Sequence, residues 1–442
     1  MELIYNVQDK PKFKELIVFA FQQLLAIMAA TIAVPAIIGN GMTASAALFG
    51  AGAGTIAYLL ITRFKSPVFL GSSFAFIGSM FAAFAGATSM QMGFLGLIIG
   101  AVSAGLVYVI ISLVVKKVGV EWINKIMPAA VIGPTVAIIG LSLAGNAIGD
   151  LTTADAGGSP YAALICGLVT LFTVICCSIY GKKMAKLIPF VIGIGAGYIV
   201  ALIFTLCGVE IIDFTPFHNL LTNGKVTFET FFNIPQFTFI EGFKGFKEMN
   251  LSYLGTIVVA YVPVAFVVFA EHIADHKNLS SIIEKDLLED PGLNRTLLGD
   301  GVGNMVSAFF GGCVDTTYGE SIGCVAITRN ASVYSILVAA FLAIVIAFIS
   351  PFVALLDSIP ACVMGGVCMT LYGFIAVSGL KMIQKVDFEE NRNLFTVSVI
   401  LIAGIGGLAI SFGKVTITAV ACALILGIIV NALPKKKDEK KV

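Results

Sequence analysis

The 442-residue chain is 58% hydrophobic and only 12% charged, with mean hydropathy +0.99 and a net charge of +1. No soluble domain needs that much apolar surface, and recurrent apolar runs of about 20 residues are membrane spans. No basic stripe offers nucleic acid a footprint. The nine cysteines lie scattered through apolar runs without CxxC pairs or histidine partners, so they read as buried small hydrophobes, neither a metal site nor a disulfide frame.

Met1–Lys14 is polar, and the first apolar run is span-length without a small-residue cleavage pattern, so no cleavable signal peptide is expected. Apolar segments then fall at about 13–39, 43–62, 66–87, 93–115, 125–146, 159–180, 186–208, 251–275, 293–311, 314–330, 332–352, 358–380, 391–412 and 415–433, about fourteen in all. With the N-terminus placed inside and sides alternating, Lys10, Lys12, Lys14, Arg63, Lys65, Lys116, Lys117, Lys182, Lys183, Lys186, Lys277, Lys285, Arg295, Arg329, Lys381, Lys385, Arg392 and the tail lysines 435–441 fall inside. Only Lys225, Lys244, Lys247 and Lys414 fall outside. The positive-inside rule therefore predicts an even number of spans and both termini in the cytoplasm, including the tail 434–442. The fold class that follows is an all-α polytopic protein of the cell membrane, with the lipid bilayer as its first partner.

The longest hydrophilic insertion, 209–250, falls outside and separates seven segments from seven. Within it Val226–Phe232 reads as a strand or an interfacial helix. Seven spans invert the second half relative to the first, so a 7+7 inverted repeat is natural. The third segment holds Ser66–Phe76 and the tenth holds Gly312–Arg329. Each begins extended and rich in Gly, Ser and Thr, then turns helical, so each reads as an extended piece followed by a half-helix. Paired interrupted segments at corresponding positions point to a binding site; two independent kinks are the alternative.

The tenth segment carries the chemistry. Gly311, Gly312, Gly319 and Gly323 weaken helix, and Asp315, Thr316 and Thr317 favour strand or turn. Non-helical backbone at membrane depth is tolerated only where protein buries it or where it lines a cavity. Glu320 begins the half-helix with no basic residue before Arg329. The eighth segment ends Glu271-His-Ile-Ala-Asp-His276. Glu271 and Asp275 share one face, and His272 and His276 the neighbouring one. A solvated cytoplasmic helix end would explain His276 and Lys277 well and Asp275 in part, but Glu271 poorly, because it lies a turn deeper.

Glu271 and Glu320 are the Glu residues placed well inside membrane segments. Carboxylates there are costly unless paired, protonated or used, and two close together do not both ionise cheaply. That suits proton-coupled transport, with Glu271 and Asp275 as coupling candidates. It also suits a ligand rich in N–H donors. Backbone N–H groups at Phe74 and Gly319 are placed to donate to ligand carbonyls. A planar ligand of alternating N–H and C=O groups, such as uracil or xanthine, matches the set.

Other polar groups carry less. Gln22 and Gln23 line a cavity or bond across helices. Asp300 and Asn304, a turn apart, form structural pairs or an ion-coupling site. Asp315 caps the extended piece or faces water. Tyr372 reads as packing or an interfacial anchor rather than a ligand contact, Trp122 and Tyr108 as interfacial or packed, and Asp286–Arg295 as a solvated loop.

Glu271-His-Ile-Ala-Asp275, Asp290-Pro-Gly-Leu-Asn-Arg-Thr-Leu-Leu-Gly-Asp-Gly301 and Thr316-Thr-Tyr-Gly-Glu-Ser-Ile-Gly-Cys-Val-Ala-Ile-Thr-Arg329 resemble the nucleobase–cation symporter (nucleobase–ascorbate) family, most of all its bacterial uracil permeases. Leu70–Ile77 also matches, and Gln23–Pro35 more loosely. The resemblance implies a core domain from segments one to four (13–116) and eight to eleven (251–352). It implies a gate domain from segments five to seven (125–208) and twelve to fourteen (358–433). It further implies antiparallel strands in segments three and ten, elevator-type movement of core against gate, and a homodimer through the gates. Carried over by motif, Glu271 and Glu320 would hold the base, with backbone at Phe74 and Gly319 assisting and Tyr318 and Tyr372 nearby. The sequence departs from the family twice. Asp275 stands where uracil permeases place His, which leaves sodium beside the proton as coupling ion, and Ser321 stands where Asn is usual. The xanthine and urate branch tends to carry Gln at the Glu320 position.

The expected function is secondary active import of a nucleobase, uracil first, by proton symport, without a cofactor. A purine permease for xanthine or urate is the alternative within the family, and a fold-related anion transporter or channel the alternative outside it. Neither an HExxH motif, nor a nucleophile elbow, nor a P-loop is found, so an enzyme or an ATP-driven pump is not expected.

Overall fold

The computed structural model describes residues 3–119, 121–182, 184–221, 224–412 and 415–433. The predicted tail 434–442, Lys183 and Lys414 lie outside the described residues. The chain runs α1 (Phe13–Ile38), α2 (Ala44–Ile61), β1 (Leu70–Ser72), α3 (Ile77–Ala85) and α4 (Met90–Val118). Then come α5 (Ala129–Ser142), α6 (Ala144–Leu151), α7 (Pro160–Tyr180) and α8 (Pro189–Leu206). The second half runs α9 (Leu251–Ile283), α10 (Leu293–Gly311), β2 (Asp315–Thr317), α11 (Gly319–Thr328), α12 (Val333–Ile346), α13 (Ser350–Asp357), α14 (Ala361–Ile383), α15 (Asn391–Ile405), β3 (Ile410–Phe412), β4 (Val415–Ile417) and α16 (Ala419–Ala432). Short helical turns fill several connections. Among the described residues eight helices are long and apolar enough to cross a membrane, and four more are apolar but shorter. The protein is a mostly helical, multi-pass membrane protein.

Five of the helices begin where a short polar side chain accepts from a free backbone N–H. Thr43 caps α2, Ser89 caps α4, Asn250 caps α9, Ser332 caps α12 and Thr418 caps α16. Asn250 Oδ1 accepts from Tyr253 N at 2.9 Å.

The two predicted strands form and pair. β1 and β2 run antiparallel with Leu70 opposite Thr317, Gly71 opposite Thr316 and Ser72 opposite Asp315. Pairing gives non-helical backbone at membrane depth its hydrogen bonds. Thr55 on α2 serves the strand end, its hydroxyl accepting from Leu70 N at 3.0 Å and donating to Leu70 O at 3.3 Å. A 3₁₀ turn at Phe74–Phe76 leads into α3, and Gly319 opens α11 one residue before the predicted half-helix start.

Helix packing falls into two groups. In one, α2 lies along α10, α4 packs on α9 and α10, and α12 packs on α1 and α2. In the other, α5 lies along α14, α7 packs on α8 and α14, and α15 packs on α16 and α5. Exchanging α1 with α9, α2 with α10, β1 with β2, α4 with α12, α5 with α14, α7 with α15 and α8 with α16 returns the same set of main pairs. Small residues allow the central α2–α10 approach. A Cβ on Gly54 would stand 2.7 Å from Gly303 O, and one on Gly303 2.8 Å from Gly54 O.

Several expectations need correcting. The eighth segment does not end near 275, because α9 continues to Ile283 and ends only where Glu284 turns left-handed. His276 is therefore not solvated; it is wholly buried. The segments read as 391–412 and 415–433 stop being helical at Ile405 and resume at Ala419. The β3–β4 hairpin lies between them, so the protein is not purely α. Gly407, with φ +71°, turns the chain out of α15. Helix in the 125–146 segment breaks at Leu143. Phe228–Thr230 is a single 3₁₀ turn, with Phe228, Phe231 and Phe232 exposed. The loop at 286–295 is not simply solvated: Asp290 pairs with Lys65 at 2.6 Å and Lys285 at 3.2 Å. Lys65, then Lys285, hold the Asp290 carboxyl below its ordinary range. Any stabilisation from this exposed cluster is present above the unfolded carboxyl range, is lost as pH falls through the folded one, and is small because water screens it.

Candidate substrate site

A cavity of about 390 Å³ lies between α9 and α11 on one wall and α5, α8 and α14 on the other. Phe74, Glu271, Asp275, Gly319 and Glu320 line the first wall; Val136, Phe190, Leu371, Phe374, Ser378 and Met382 line much of the second. Its volume suits a small molecule. The cavity reaches Met382, next to Lys381 at the lysine-bearing end of α14.

Four of the predicted contacts and the coupling candidate Asp275 are thus brought together. Glu271 is open to the cavity, while Asp275 and Glu320 are half-buried at its wall. The N-terminus of α11 has no side-chain cap, and a Cβ on Gly319 would meet no atom within 4 Å. The helix therefore presents backbone N–H groups and positive dipole beside its own Glu320.

Two predicted contacts sit elsewhere. The Tyr318 ring covers Gly71, and its hydroxyl donates to Ser72 O at 2.7 Å, so it clasps the strand pair and does not line the cavity. Tyr372 is buried and meets the Phe74 ring edge-on at 5.9 Å, supporting a wall residue from behind. A Cβ on Gly71 would stand 2.5 Å from the Tyr318 ring, whereas one on Gly78 meets nothing within 4 Å. Gly71→Ala is expected to cost about 1–3 kcal/mol of stability through overpacking. Gly78→Ala should cost far less. Thermal unfolding of the two purified variants checks this, and equal melting temperatures would remove the clasp.

The sequence reading missed two hydrogen-bonded supports and two wall residues. The Thr317 hydroxyl donates to Asp275 Oδ2 at 2.7 Å, tying β2 to α9. Ser321 Oγ accepts from Phe69 N at 3.0 Å and also from Gln23 Nε2, joining α11 to the extended piece and to α1. Gln23 thus bonds across helices. Phe190 and Phe374 add apolar wall. Their only sequence signal was position: Thr317 and Ser321 flank the Gly319-Glu320 pair.

Behind the cavity, on the other face of α9, His272 is wholly buried. Its Nδ1 lies 2.6 Å from Asp300 Oδ2 and its Nε2 3.0 Å from Thr296 Oγ1. His276 Nε2 meets the Tyr58 hydroxyl at 2.8 Å, and the two imidazoles stack at 4.1 Å. His276 faces away from the cavity, as the helical offset from Asp275 requires. Tyr108 is packed beside His272, and Trp122 packs against the main core.

The sequence profile of a family described as "Permease family" (Xan_ur_permease) matches residues 14–412. The chain belongs to this permease family. Its relatives include the uracil permease of Bacillus caldolyticus, 40% identical over 97% of this chain and 94% of that protein. The uracil permease of Escherichia coli (strain K12) is 34% identical over 96% of this chain and 92% of that protein. Among solved structures, the transmembrane domain of a cyanobacterium bicarbonate transporter, BicA, superposes with TM-score 0.63 at 16% identity, covering 97% of this chain and all of that one. Murine Solute Carrier 26 family member A9, an anion transporter in the inward-facing state, gives 0.65 at 11% identity, covering 96% of this chain and 68% of that one. These two likenesses are of fold alone. In the permease, then, the cavity wall that carries Glu271 and Glu320 comes from α9 and from the helix that follows a paired strand.

Proposed function

We propose that this permease imports uracil by proton symport, with the 390 Å³ cavity as its substrate site. The carrying observation is the composition of the cavity wall: Glu271, Asp275 and Glu320 face it, and among the described residues no Lys or Arg lines it. A nucleobase offers N–H donors to carboxylates and carbonyls to backbone N–H groups at Phe74 and Gly319. Phe74, Phe190 and Phe374 suit its ring faces. Glu271 and Asp275, one turn apart, carry the coupling proton, so that protonation and substrate occupancy are linked. The relatives named uracil permease support uracil over xanthine or urate. The fold neighbours are an anion transporter and a bicarbonate transporter, but the charged side chains described on this wall are all carboxyls, which argues against an anion here. The reading is of a transporter and not an enzyme.

In the same reading the chain crosses the membrane fourteen times as a 7+7 inverted repeat, with both termini cytoplasmic. The exchange symmetry of the packing pairs supports it. The core domain is 13–116 with 251–352, the gate is 125–208 with 358–433, and 209–250 is the extracytoplasmic insertion. The two walls of the cavity belong one to each domain. Elevator movement of core against gate would expose the site alternately, and a homodimer through the gates would hold the frame still.

The test is radiolabelled uracil uptake into proteoliposomes, with and without an inward proton gradient and with excess unlabelled xanthine. Gradient-dependent uptake that ignores xanthine is expected. No uptake, or uptake abolished by xanthine, overturns uracil as substrate. Thr317→Val, which removes the donor to Asp275, should weaken uptake roughly tenfold, since a hydrogen bond to a charged group contributes about 1.5–3 kcal/mol. Unchanged uptake in that variant would take the Thr317 link out of the site.

A further inference from the structure

Residues 4–9 do not trail from the first helix; they pair with the connection that follows α11. Tyr5 and Asn330 form a parallel bridge. Ile4 N donates to Arg329 O at 2.8 Å, Ala331 N to Tyr5 O at 2.9 Å and Val333 N to Val7 O at 2.9 Å. The Ser332 hydroxyl donates to Asp9 O at 2.7 Å. The stretch they meet is interior: Asn330, Ala331, Ser332 and Val333 are all buried, and so is Val7. Backbone groups buried there need partners, and residues 4–9 supply them. Arg329 turns left-handed at φ +55° to end α11, and Val333 opens α12. The pairing thus satisfies a carbonyl at the end of one helix and an N–H at the start of the next.

We propose that residues 4–9 are a strap that positions α11, and through it Glu320 and the Gly319 N–H, for substrate. α11 has 10 residues, too few to hold its place by helix propensity, so its neighbours set its position. At its start β2 pairs with β1. Along its length Ser321 accepts from Phe69 N at 3.0 Å and from Gln23 on α1. At its far end the strap holds Arg329 O. The strap is itself fixed to α1 and α12. Asn6 N donates to Asp9 Oδ2 at 2.7 Å, closing the turn that leads into α1. The Tyr5 ring meets Phe19 edge-on at 6.0 Å, and its hydroxyl bonds to Glu15. Lys10 Nζ lies 5.2 Å from the centre of the Tyr334 ring. The chain from Ile4 to Gln23 therefore brackets α11 at its middle and at its end.

Loosening the strap frees the Arg329 end of a short rod, and the Glu320 end tilts with it. A contact group moved off its geometry weakens the interaction it makes without unfolding the protein. Residues 4–9 can detach without opening the helix packing behind them. The signature is therefore a raised KM for substrate with little change in Vmax or Tm. This consequence rests on the proposed substrate site; the strap's hold on α11 does not.

The experiment compares three substitutions in the full-length protein. Val7→Asp puts a charge on the buried strap residue. Ile4→Pro removes the N–H that reaches Arg329 O, at a position whose side chain is 59% exposed. Ile4→Ala changes the same exposed side chain and keeps the N–H. Hydrogen–deuterium exchange of the purified protein without substrate reads the hold on α11, and uracil uptake in proteoliposomes reads its consequence. Val7→Asp should speed exchange across 319–333 and raise the KM for uracil about tenfold, with Vmax and Tm little changed. Ile4→Pro should act in the same direction and less strongly, and Ile4→Ala should leave exchange and KM as they are. If Val7→Asp does not fold, Ile4→Pro against Ile4→Ala carries the test. Unchanged exchange across 319–328 in both Val7→Asp and Ile4→Pro overturns the strap. A fall in Vmax and Tm with KM unmoved overturns its positioning role. If the unaltered protein takes up no uracil, the uracil reading fails and the exchange measurement alone decides the strap.

Discussion

Uracil uptake by the Glu320→Gln variant should fall by about two orders of magnitude while the protein remains folded. Glu320 lies at the uncapped start of α11, half-buried at the cavity wall, with Glu271 and Asp275 also on that wall. An ionised carboxylate only accepts hydrogen bonds. A Gln side chain of the same size puts an N–H₂ where one oxygen was, and so opposes the N–H of the base. Losing one partner of a desolvated, charge-assisted contact costs about 2–5 kcal/mol, and about 1.4 kcal/mol is tenfold in affinity. The substitution is isosteric and leaves the packing around α11 as it is, so Tm should move little. The check is uptake in proteoliposomes beside a melting curve for each variant. Uptake within a factor of two of the unaltered protein, at equal Tm, would remove Glu320 from the substrate site. A Glu320→Asp variant offers the same acceptor chemistry set back by one methylene, and should fall between the two.

How much of this was legible follows from what each feature depends on. The interruption in segments three and ten was readable because Gly, Ser and Thr cluster there at membrane depth, and the strands did form between 70–72 and 315–317. Glu271 and Glu320 stood out because a carboxylate in an apolar run is costly unless paired, protonated or used, and both line the one cavity wall. Tyr318 was harder: a motif places it beside Gly319 but does not say where its ring goes. The ring filled the gap over Gly71, which only the pairing of two strands far apart in sequence creates; the Ser72 O that its hydroxyl meets is 246 residues away. His276 was misjudged for a related reason. Local sequence looks like a helix end, yet α9 runs on, and Tyr58 from a distant helix closes over the imidazole. The β3–β4 hairpin was missed because Ile410–Phe412 and Val415–Ile417 are apolar and β-branched enough to be counted as span ends. Tertiary partners, not local pattern, decided each of these.

Asp300→Ala should be the most destabilising single change in the region, by about 3–5 kcal/mol, because it removes one partner of a buried, paired group. Asp300 and His272 are both wholly buried and 2.6 Å apart, Thr296 completes the imidazole, and His276 stacks on it. Removing the carboxyl strands an imidazole nitrogen inside the α9–α10 contact. Asp300→Asn keeps an acceptor for His272 Nδ1–H and should lose much less. That contrast separates a scaffold from a coupling path. If the group only holds α9 in place behind the cavity, the Asn variant should keep both a near-normal Tm and gradient-driven uptake. If Asp300 carries a proton during transport, the Asn variant should keep its Tm yet lose response to the gradient, while still exchanging labelled for unlabelled uracil. The geometry favours the first outcome. Asp300 faces the histidines and not the cavity wall, and the carboxyls that do face the cavity are Glu271, Asp275 and Glu320.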